Sequence, residues 1–273
     1  MGLQFASINS GSNGNAYYIG NKTEAILVDV GLSCREIENR MLGLGLDIFK
    51  LKALFISHEH TDHIKGVDVF AKKYNLPVYI SKGTYHKSRL KLNPSQLNWI
   101  SDNDFIQIEN LRINIFSKKH DAEEPQSFTI QYNNVTVGVF TDIGLACDNV
   151  VAHFKTCHAA FLESNYDEEM LQNGSYPFIL KKRISGGQGH LSNKQALEIF
   201  LQHRPAFMSH LLLSHLSKEN NDPAIVQALF APYSHKTKII VASRYEASEL
   251  FFISSNLTEK PIKKIIAQQA SLF

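Results

Sequence analysis

A surplus of charge of either sign is missing from this chain. Over 273 residues, 28 Lys and Arg stand against 26 Asp and Glu, a formal net charge of +2. No global basic field draws it to nucleic acid, so any such contact must come from local patches. Long apolar runs are missing too. None approaches the roughly 20 residues of a membrane-crossing helix, and no membrane span is expected. The opening Gly2-Leu3-Gln4-Phe5-Ala6 has neither the basic start nor the apolar middle of a secretory leader. Cysteine is scarce: Cys34, Cys147 and Cys157 form an odd set without paired spacing. That argues against a disulfide framework and for a reduced, cytoplasmic setting. Repeats, low-complexity linkers and a second domain are not found. The length suits one large α/β domain with a deep core.

What the chain does have is a dense run of metal-capable side chains. Ser57-His58-Glu59-His60-Thr61-Asp62-His63 follows directly on the apolar Leu51-Lys52-Ala53-Leu54-Phe55-Ile56, which reads as a buried strand. A strand end is a rigid mount for ligands. His58 and His60 are two apart and project the same way from an extended chain, while Asp62 and His63 follow on the turn and point elsewhere. One loop can therefore serve two adjacent metal ions. A His-rich surface tract would be compositionally looser than this mixed, ordered run.

The H-x-H-x-D-H pattern after a strand resembles the signature of the metallo-β-lactamase fold. The resemblance implies further ligands at later strand ends, in a set order, and the chain supplies residues at those places. His120 follows Ile113-Asn114-Ile115-Phe116, Asp142 follows Val135-Thr136-Val137-Gly138-Val139-Phe140, and His215 follows Leu211-Leu212-Leu213. Asp29 closes Ala25-Ile26-Leu27-Val28 and matches the family's first acid, which braces the site and does not bind metal. By resemblance, His58, His60 and His120 hold one ion, Asp62, His63 and His215 hold a second, and Asp142 bridges them. Imidazole and carboxylate suit Zn²⁺ or Mn²⁺, with Fe²⁺ as a further option, since no thiolate selects zinc. Such a pair of ions activates water and clamps phosphoryl oxygens. An Asp bridge points to the phosphoester and thioester hydrolases of the superfamily.

The rest of the pattern alternates. Strands are expected at 4–8, 16–19, 25–30, 51–57, 77–80, 104–108, 111–116, 127–132, 135–141, 158–163, 207–214 and 238–242, with Asn133-Asn134 as a hairpin turn. Helices are expected at 34–42, capped by Ser33 and ending before Gly43, and at 66–74, 167–171, 193–202 and 222–230. The family resemblance implies the αββα four-layer sandwich, with residues 1–254 as the catalytic domain and 255–273 as a tail. The interval between Asp142 and His215 is too short for the extra domain of β-CASP nucleases. That between His120 and Asp142 leaves no room for a long tRNA-binding arm.

Three loops narrow the resemblance further. Ser10-Gly11-Ser12-Asn13-Gly14-Asn15 is either a phosphate-cradling or a plain tight turn. Leu162-Glu163-Ser164-Asn165 follows a strand. Gly189-His190-Leu191-Ser192-Asn193 opens a helix. Together with His215-Leu216-Ser217-Lys218-Glu219-Asn220-Asn221 they are similar to the YycJ/WalJ-like branch, which is associated with 5′→3′ exonuclease activity on DNA. The expected function is thus a dinuclear metal-dependent phosphodiesterase, a DNA exonuclease in repair or replication. Its catalytic residues are Asp62 and His190, the latter a phosphate ligand or proton donor. Ser192, Asn193 and Asn165 are the expected substrate contacts. Lys82, His86, Lys87, Arg89 and Lys91, with Tyr85, and Lys181, Lys182 and Arg183 are local basic groups that suit a phosphate backbone. The last five residues, Gln269-Ala270-Ser271-Leu272-Phe273, resemble the peptide that binds the bacterial sliding clamp. In that reading Leu272 and Phe273 are apolar anchors and Gln269 a hydrogen-bonding edge. The rivals are a metallo-hydrolase of a small phosphodiester or thioester, and a non-catalytic clamp- or DNA-binding adaptor.

Overall fold

The computed structural model describes residues 2–254. The C-terminal segment with Gln269, Leu272 and Phe273 lies outside the described residues. Two seven-stranded sheets form the centre. The first holds β1 (Gly2–Asn9), β2 (Ala16–Gly20), β3 (Ala25–Val28), β4 (Leu51–Phe55), β5 (Val78–Ile80) and β6 (Leu97–Trp99) in spatial sequence. The second runs in the order opposite to the chain: β13 (Lys238–Val241), β12 (His210–Ser214), β11 (Ala159–Glu163), β10 (Val135–Phe140), β9 (Gln126–Tyr132), β8 (Leu111–Ser117), β7 (Phe105–Ile108). A last strand, β14 (Phe251–Ser254), returns to the first sheet and pairs antiparallel with β1, Gly2 facing Ser254.

Most strands of both sheets are buried on both faces and read as continuous hydrophobic runs, whereas β8 alternates, with Arg112 and Asn114 between its buried Leu111, Ile113 and Ile115. Along β3, Ile26 and Val28 enter the core between the sheets with Phe5, Tyr17, Phe55, Phe128 and Phe161. Ala25 and Leu27 face outward, against Ile37 and Met41 of α1 (Cys34–Gly43) and Phe70 of α3 (Val67–Tyr74). The short α2 (Thr61–Ile64) and α4 (Lys82–Lys87) complete that side. The outer face of the second sheet packs on α5 (Asp148–Phe154), α8 (Asn193–His203) and α9 (Pro223–Phe230) through Val150, Phe154, Phe200, Val226 and Phe230. α6 (Glu168–Asn173) and α7 (Phe178–Ser185) lie in the connection between β11 and α8. This is the αββα sandwich.

Local signals explain most element ends. Ser33 caps α1, accepting from Glu36 N at 3.3 Å. The helix runs on through Gly43, and the left-handed residue is Gly45 (φ +68°). Asn133, at φ 50°, makes the two-residue turn between β9 and β10, where Tyr132 faces Val135. Strand 207–214 starts later than its apolar residues suggest: Met208 N turns back to Pro205 O, and pairing begins at His210. α2, α5, α7, β6 and β14 have no counterpart among the elements read from the pattern.

Sheet direction places the chemistry. β3 and β4 are parallel, as are β10, β11 and β12. Their C-terminal ends carry Asp29, His58, Asp142, Glu163 and His215. Open sheets leave their ligand-binding crevice outside such ends.

Candidate metal centre and active site

Phe55 ends β4, and the chain continues through Ile56 and Ser57 into the histidine run, where His60 becomes the N-cap of α2. The loop is clamped from two sides. Val30 N donates to His63 O at 2.8 Å, and Asn15 N donates to Asp62 O at 2.7 Å. Asn15 Nδ2 also reaches Asp62 Oδ2 at 3.2 Å and His63 Nε2 at 3.0 Å. Gly31 lies between these segments. A Cβ there would stand 1.7 Å from Asp62 O and 2.5 Å from Asn15 N. Gly31→Ala is therefore expected to displace the histidine loop, costing about 1–3 kcal/mol as overpacking does. Thermal melting should register the loss, with Gly43→Ala, which meets nothing within 4 Å, as the neutral comparison. An unchanged melting temperature for Gly31→Ala would contradict this account of the loop.

Every imidazole of the site but His60, whose Nδ1 lies 3.4 Å from His120 Nε2, is oriented by a partner on its outer nitrogen, which leaves the other nitrogen turned inward. His63 Nδ1 donates to Asp29 Oδ2 at 2.7 Å, while the same carboxylate accepts from Ser57 N and Ser57 Oγ, both at 2.8 Å. His58 Nδ1 meets Ser57 Oγ at 2.9 Å. His120 Nδ1 donates to Gly189 O at 2.9 Å. His215 Nδ1 donates to Glu163 Oε1 at 2.8 Å, and so does His190 Nδ1, also at 2.8 Å. The inward atoms collect into two triads, His58–His60–His120 and Asp62–His63–His215. Within each, the candidate ligand atoms lie within 4.8 Å of one another. Asp142 forms a further such group with His58 and His63, one member from each triad. His58 Nε2, His215 Nε2 and Asp142 Oδ2 are buried with no hydrogen-bond partner among the described residues. Orphaned buried donors and acceptors are costly and need a reason. Asp29, Asp142 and His215 have φ of 62°, 56° and 57°. A left-handed conformation at three non-glycine residues is strain concentrated at the site, about 1–3 kcal/mol each.

The electrostatics divide the histidines. Burial holds the His58 imidazole far below its ordinary pKa, and the neighbouring His63 adds to this. His120 is pushed down to about 4, again by burial. Burial opposes charge on His63 as well, but Asp142, Asp29 and Asp62 outweigh it and raise its pKa well above the ordinary value. His215 rises to about 10 because Asp142, Asp62 and Glu163 outweigh its burial. Glu163, although buried, is held down at about 2 by His190 and His215. Without metal, the carboxylates around them favour the doubly protonated, cationic form of His63 and His215. A metal ion needs a ring lone pair, so loading is expected to release protons. Affinity should rise with pH and fall steadily below neutrality. Calorimetric titration of metal in buffers of different ionisation enthalpy measures the number, and a buffer-independent heat would contradict it.

The triads open into a pocket of about 240 Å³, whose walls include Asp142, Asn165, Tyr176, Arg183 and His190. A larger groove of about 990 Å³ beside α3 is lined by Lys72, Lys73 and Lys91 but shares no residue with this pocket and holds no ligand cluster. Asn165, expected at the substrate, does line the pocket, and its Nδ2 donates to His215 O at 2.8 Å. Ser192 and Asn193 are elsewhere. Ser192 caps α8 in a capping box with Gln195, and Asn193 bonds Ser164 Oγ and Asn221 in the interior. The turn from Ser10 to Asn15 is structural in most of its contacts: Asn15 braces the histidine loop, and Ser10 Oγ accepts from His215 N at 2.7 Å. Glu163 and Lys118 are the site neighbours that the pattern alone did not single out. Glu163 closes β11 as Asp29 closes β3, so its position at a strand end was a usable signal. Lys118 is buried, its Nζ donating to Thr141 O at 2.6 Å beside Asp142, and no spacing marks it.

The fold and the paired triads define a class. The chain belongs to the metallo-β-lactamase superfamily, whose family model matches residues 10–167. Within it the chain is a YycJ-like protein. It is 35% identical over 224 residues to Exodeoxyribonuclease YycJ of Bacillus anthracis, covering 81% of this chain and 85% of that one. Exodeoxyribonuclease WalJ of Streptococcus pneumoniae is 32% identical over 226 residues, covering 81% and 84%. In fold it is similar to the metallo-β-lactamase fold protein YhfI from Bacillus subtilis, with a TM-score of 0.69 at 14% identity over 92% of this chain and 100% of that one.

Proposed function

We propose that this protein is a metal-dependent exodeoxyribonuclease that hydrolyses phosphodiester bonds from a DNA end, in repair or replication. The observation that carries the reading is the pair of triads with unpartnered inward atoms, joined at Asp142 and overlooked by His190. His58, His60 and His120 would hold one divalent ion, Asp62, His63 and His215 a second, with Asp142 serving both. Zinc and manganese suit this all-imidazole and carboxylate set, and iron is compatible with it. When bound, such ions supply Lewis acidity toward water and phosphoryl oxygen.

The remaining roles belong to the chain itself. Asp29 fixes the His63 ring, and Asn15 fixes both His63 and Asp62. Glu163 accepts a hydrogen bond from His190 Nδ1, and that proton stays on the ring, which leaves Nε2 as the nitrogen that passes its own proton to the leaving oxygen as the phosphorus–oxygen bond breaks. Asn165 and Arg183 line the pocket where the phosphate enters. Three free thiols fit a reducing compartment, the cytoplasm, and no described helix is long and apolar enough to cross a membrane.

The test is digestion of end-labelled single- and double-stranded DNA, with 5′-phosphate or 5′-hydroxyl ends, in Mn²⁺, Zn²⁺ or chelator. Stepwise loss from the 5′ end that chelator abolishes is the expected result. Hydrolysis of small model diesters without any digestion of DNA would replace this reading with that of a small-substrate hydrolase. No turnover of either would leave an adaptor. The C-terminal Gln269-Ala270-Ser271-Leu272-Phe273 we assign to sliding-clamp binding. A peptide of the last ten residues should bind the clamp saturably, and Leu272→Ala with Phe273→Ala should abolish that binding, because anchors carry most of the energy of a small interface. Absence of saturable binding removes the clamp as a partner.

A further inference from the structure

α7 is unlike every other α-helix among the described residues: none of its side chains is buried. Phe178 is 77% exposed and Ile179 83%. The helix carries Lys181, Lys182 and Arg183 and no acidic residue. It is held by Lys181 Nζ, which donates to Gln172 O at 2.7 Å, by the pair of Arg183 with Asp121, and by its C-terminal end, against the loop that carries His190. His190 N donates to Ile184 O at 2.8 Å. A Cβ on Gly189 would stand 2.1 Å from Ile184 O and 2.2 Å from Arg183 O, so only glycine permits this approach.

Two cavities flank the helix, one on each face. Leu180, Arg183 and Ile184, at i, i+3 and i+4, line the active-site pocket. Phe178, Lys181, Lys182 and Ser185, at i, i+3, i+4 and i+7, line a separate groove of about 680 Å³ that extends to Tyr166 and Gln195. At helical spacing these two sets point in roughly opposite directions. α7 is thus a one-helix wall between the reaction site and a cationic, aromatic groove. The acid in that groove, Glu168, is already paired with Lys194 at 2.9 Å, and Lys182 forms no ion pair among the described residues.

We propose that α7 parts the strands of a duplex DNA end. The strand to be cut enters the pocket on the Arg183 face. The displaced strand lies in the outer groove, its bases against Phe178 and its phosphates near Lys181 and Lys182. The inference rests on the exodeoxyribonuclease reading above. The active-site pocket, about 240 Å³, is the smaller of the two cavities beside the helix, and in this reading a duplex opens before its end reaches His190. Exposed aromatic faces beside cations are what an unpaired strand binds without sequence preference. Parting the strands at the wall would supply the opened end at the site that consumes it.

The test uses the full chain with its metal and three substrates: single-stranded DNA, the same sequence as a blunt duplex, and a duplex with a frayed, non-complementary end. Phe178→Ala with Lys182→Glu should slow digestion of the blunt duplex by about tenfold or more, the scale of one lost stacking and phosphate contact. Single-stranded digestion should change less than about twofold, and the frayed end should recover much of the duplex rate. Both side chains are exposed, so melting temperature and metal content should hold. Phe178→Tyr with Lys182→Arg should restore the duplex rate. Equal loss on single and double strands would overturn the proposal, because the face would then serve the cut strand. An unchanged duplex rate would overturn it too and leave the face to a protein or membrane partner. So would a wild-type enzyme that digests single strands and leaves every duplex intact. A wild-type protein that digests no DNA at all would instead remove the nuclease reading, and the partition would fall with it.

Discussion

Asp142→Ala protein is expected to retain little of either metal and almost no hydrolytic activity. Asp142 is the one carboxylate grouped with a member of each triad, and its Oδ2 is buried without a hydrogen-bond partner among the described residues, the nearest His63 nitrogen being 3.1 Å away. Removing an outer partner of a metal ligand costs roughly 10–100-fold in affinity or activity. Removing a ligand common to two ions should exceed that at both sites. His120→Ala provides the contrast: it belongs to one triad, so the other ion should be kept more firmly. Metal analysis by mass spectrometry should find two ions per chain in the unaltered protein, fewer than one in Asp142→Ala and an intermediate content in His120→Ala. A full complement and normal turnover in Asp142→Ala would remove the shared-ligand assignment.

The second large effect falls on His190. His190→Ala should keep the metals and the melting temperature while turnover drops by about 10²–10⁴-fold, the contribution of a positioned acid or base. Its ring is partly exposed in the pocket, lies 5.2 Å from the His120 ring and 5.3 Å from the His215 ring, and shares Glu163 with His215, each addressing that carboxylate at 2.8 Å. Glu163→Gln separates the two connections. It preserves size but removes the charge that orients both rings, so turnover and metal retention should fall together. The metal loss should be roughly 10–100-fold in affinity. Loss of metal in His190→Ala would make His190 a ligand, and unchanged turnover would return it to packing.

Much of this site is legible in the chain because strand ends mark themselves. The run from His58 to His63 is local, and its chemistry needs no fold to be noticed. Asp29, Asp142 and His215 each close an apolar strand, and parallel strands deliver such residues to one edge. Strands buried on both faces read as apolar segments and β8 reads as an alternating one, so β1 to β4 and β8 to β12 are recognisable from the sequence pattern. α7 was not, because a helix that buries nothing leaves no apolar stripe facing a core. β14 is four residues long and depends on its partner β1 for its hydrogen bonds.

The sequence by itself determined most of the strands and the core-facing helices, which side chains stand at the ends of those strands, and that imidazoles and carboxylates gather there. Tertiary structure decided how those side chains are aimed. Glu163 addresses His215 across 52 residues of chain, Asn15 addresses His63 across 48, and Arg183 pairs with Asp121 across 62. Ser192 and Asn193 look like substrate contacts in one dimension, yet they are turned inward by a capping box and an interior amide network. The physical reason is one of range. Periodicity and capping act over a few residues, and the sequence displays them directly. The partner of a buried polar group is whichever atom the packed sheets bring within 3 Å, and only the assembled layers bring it there.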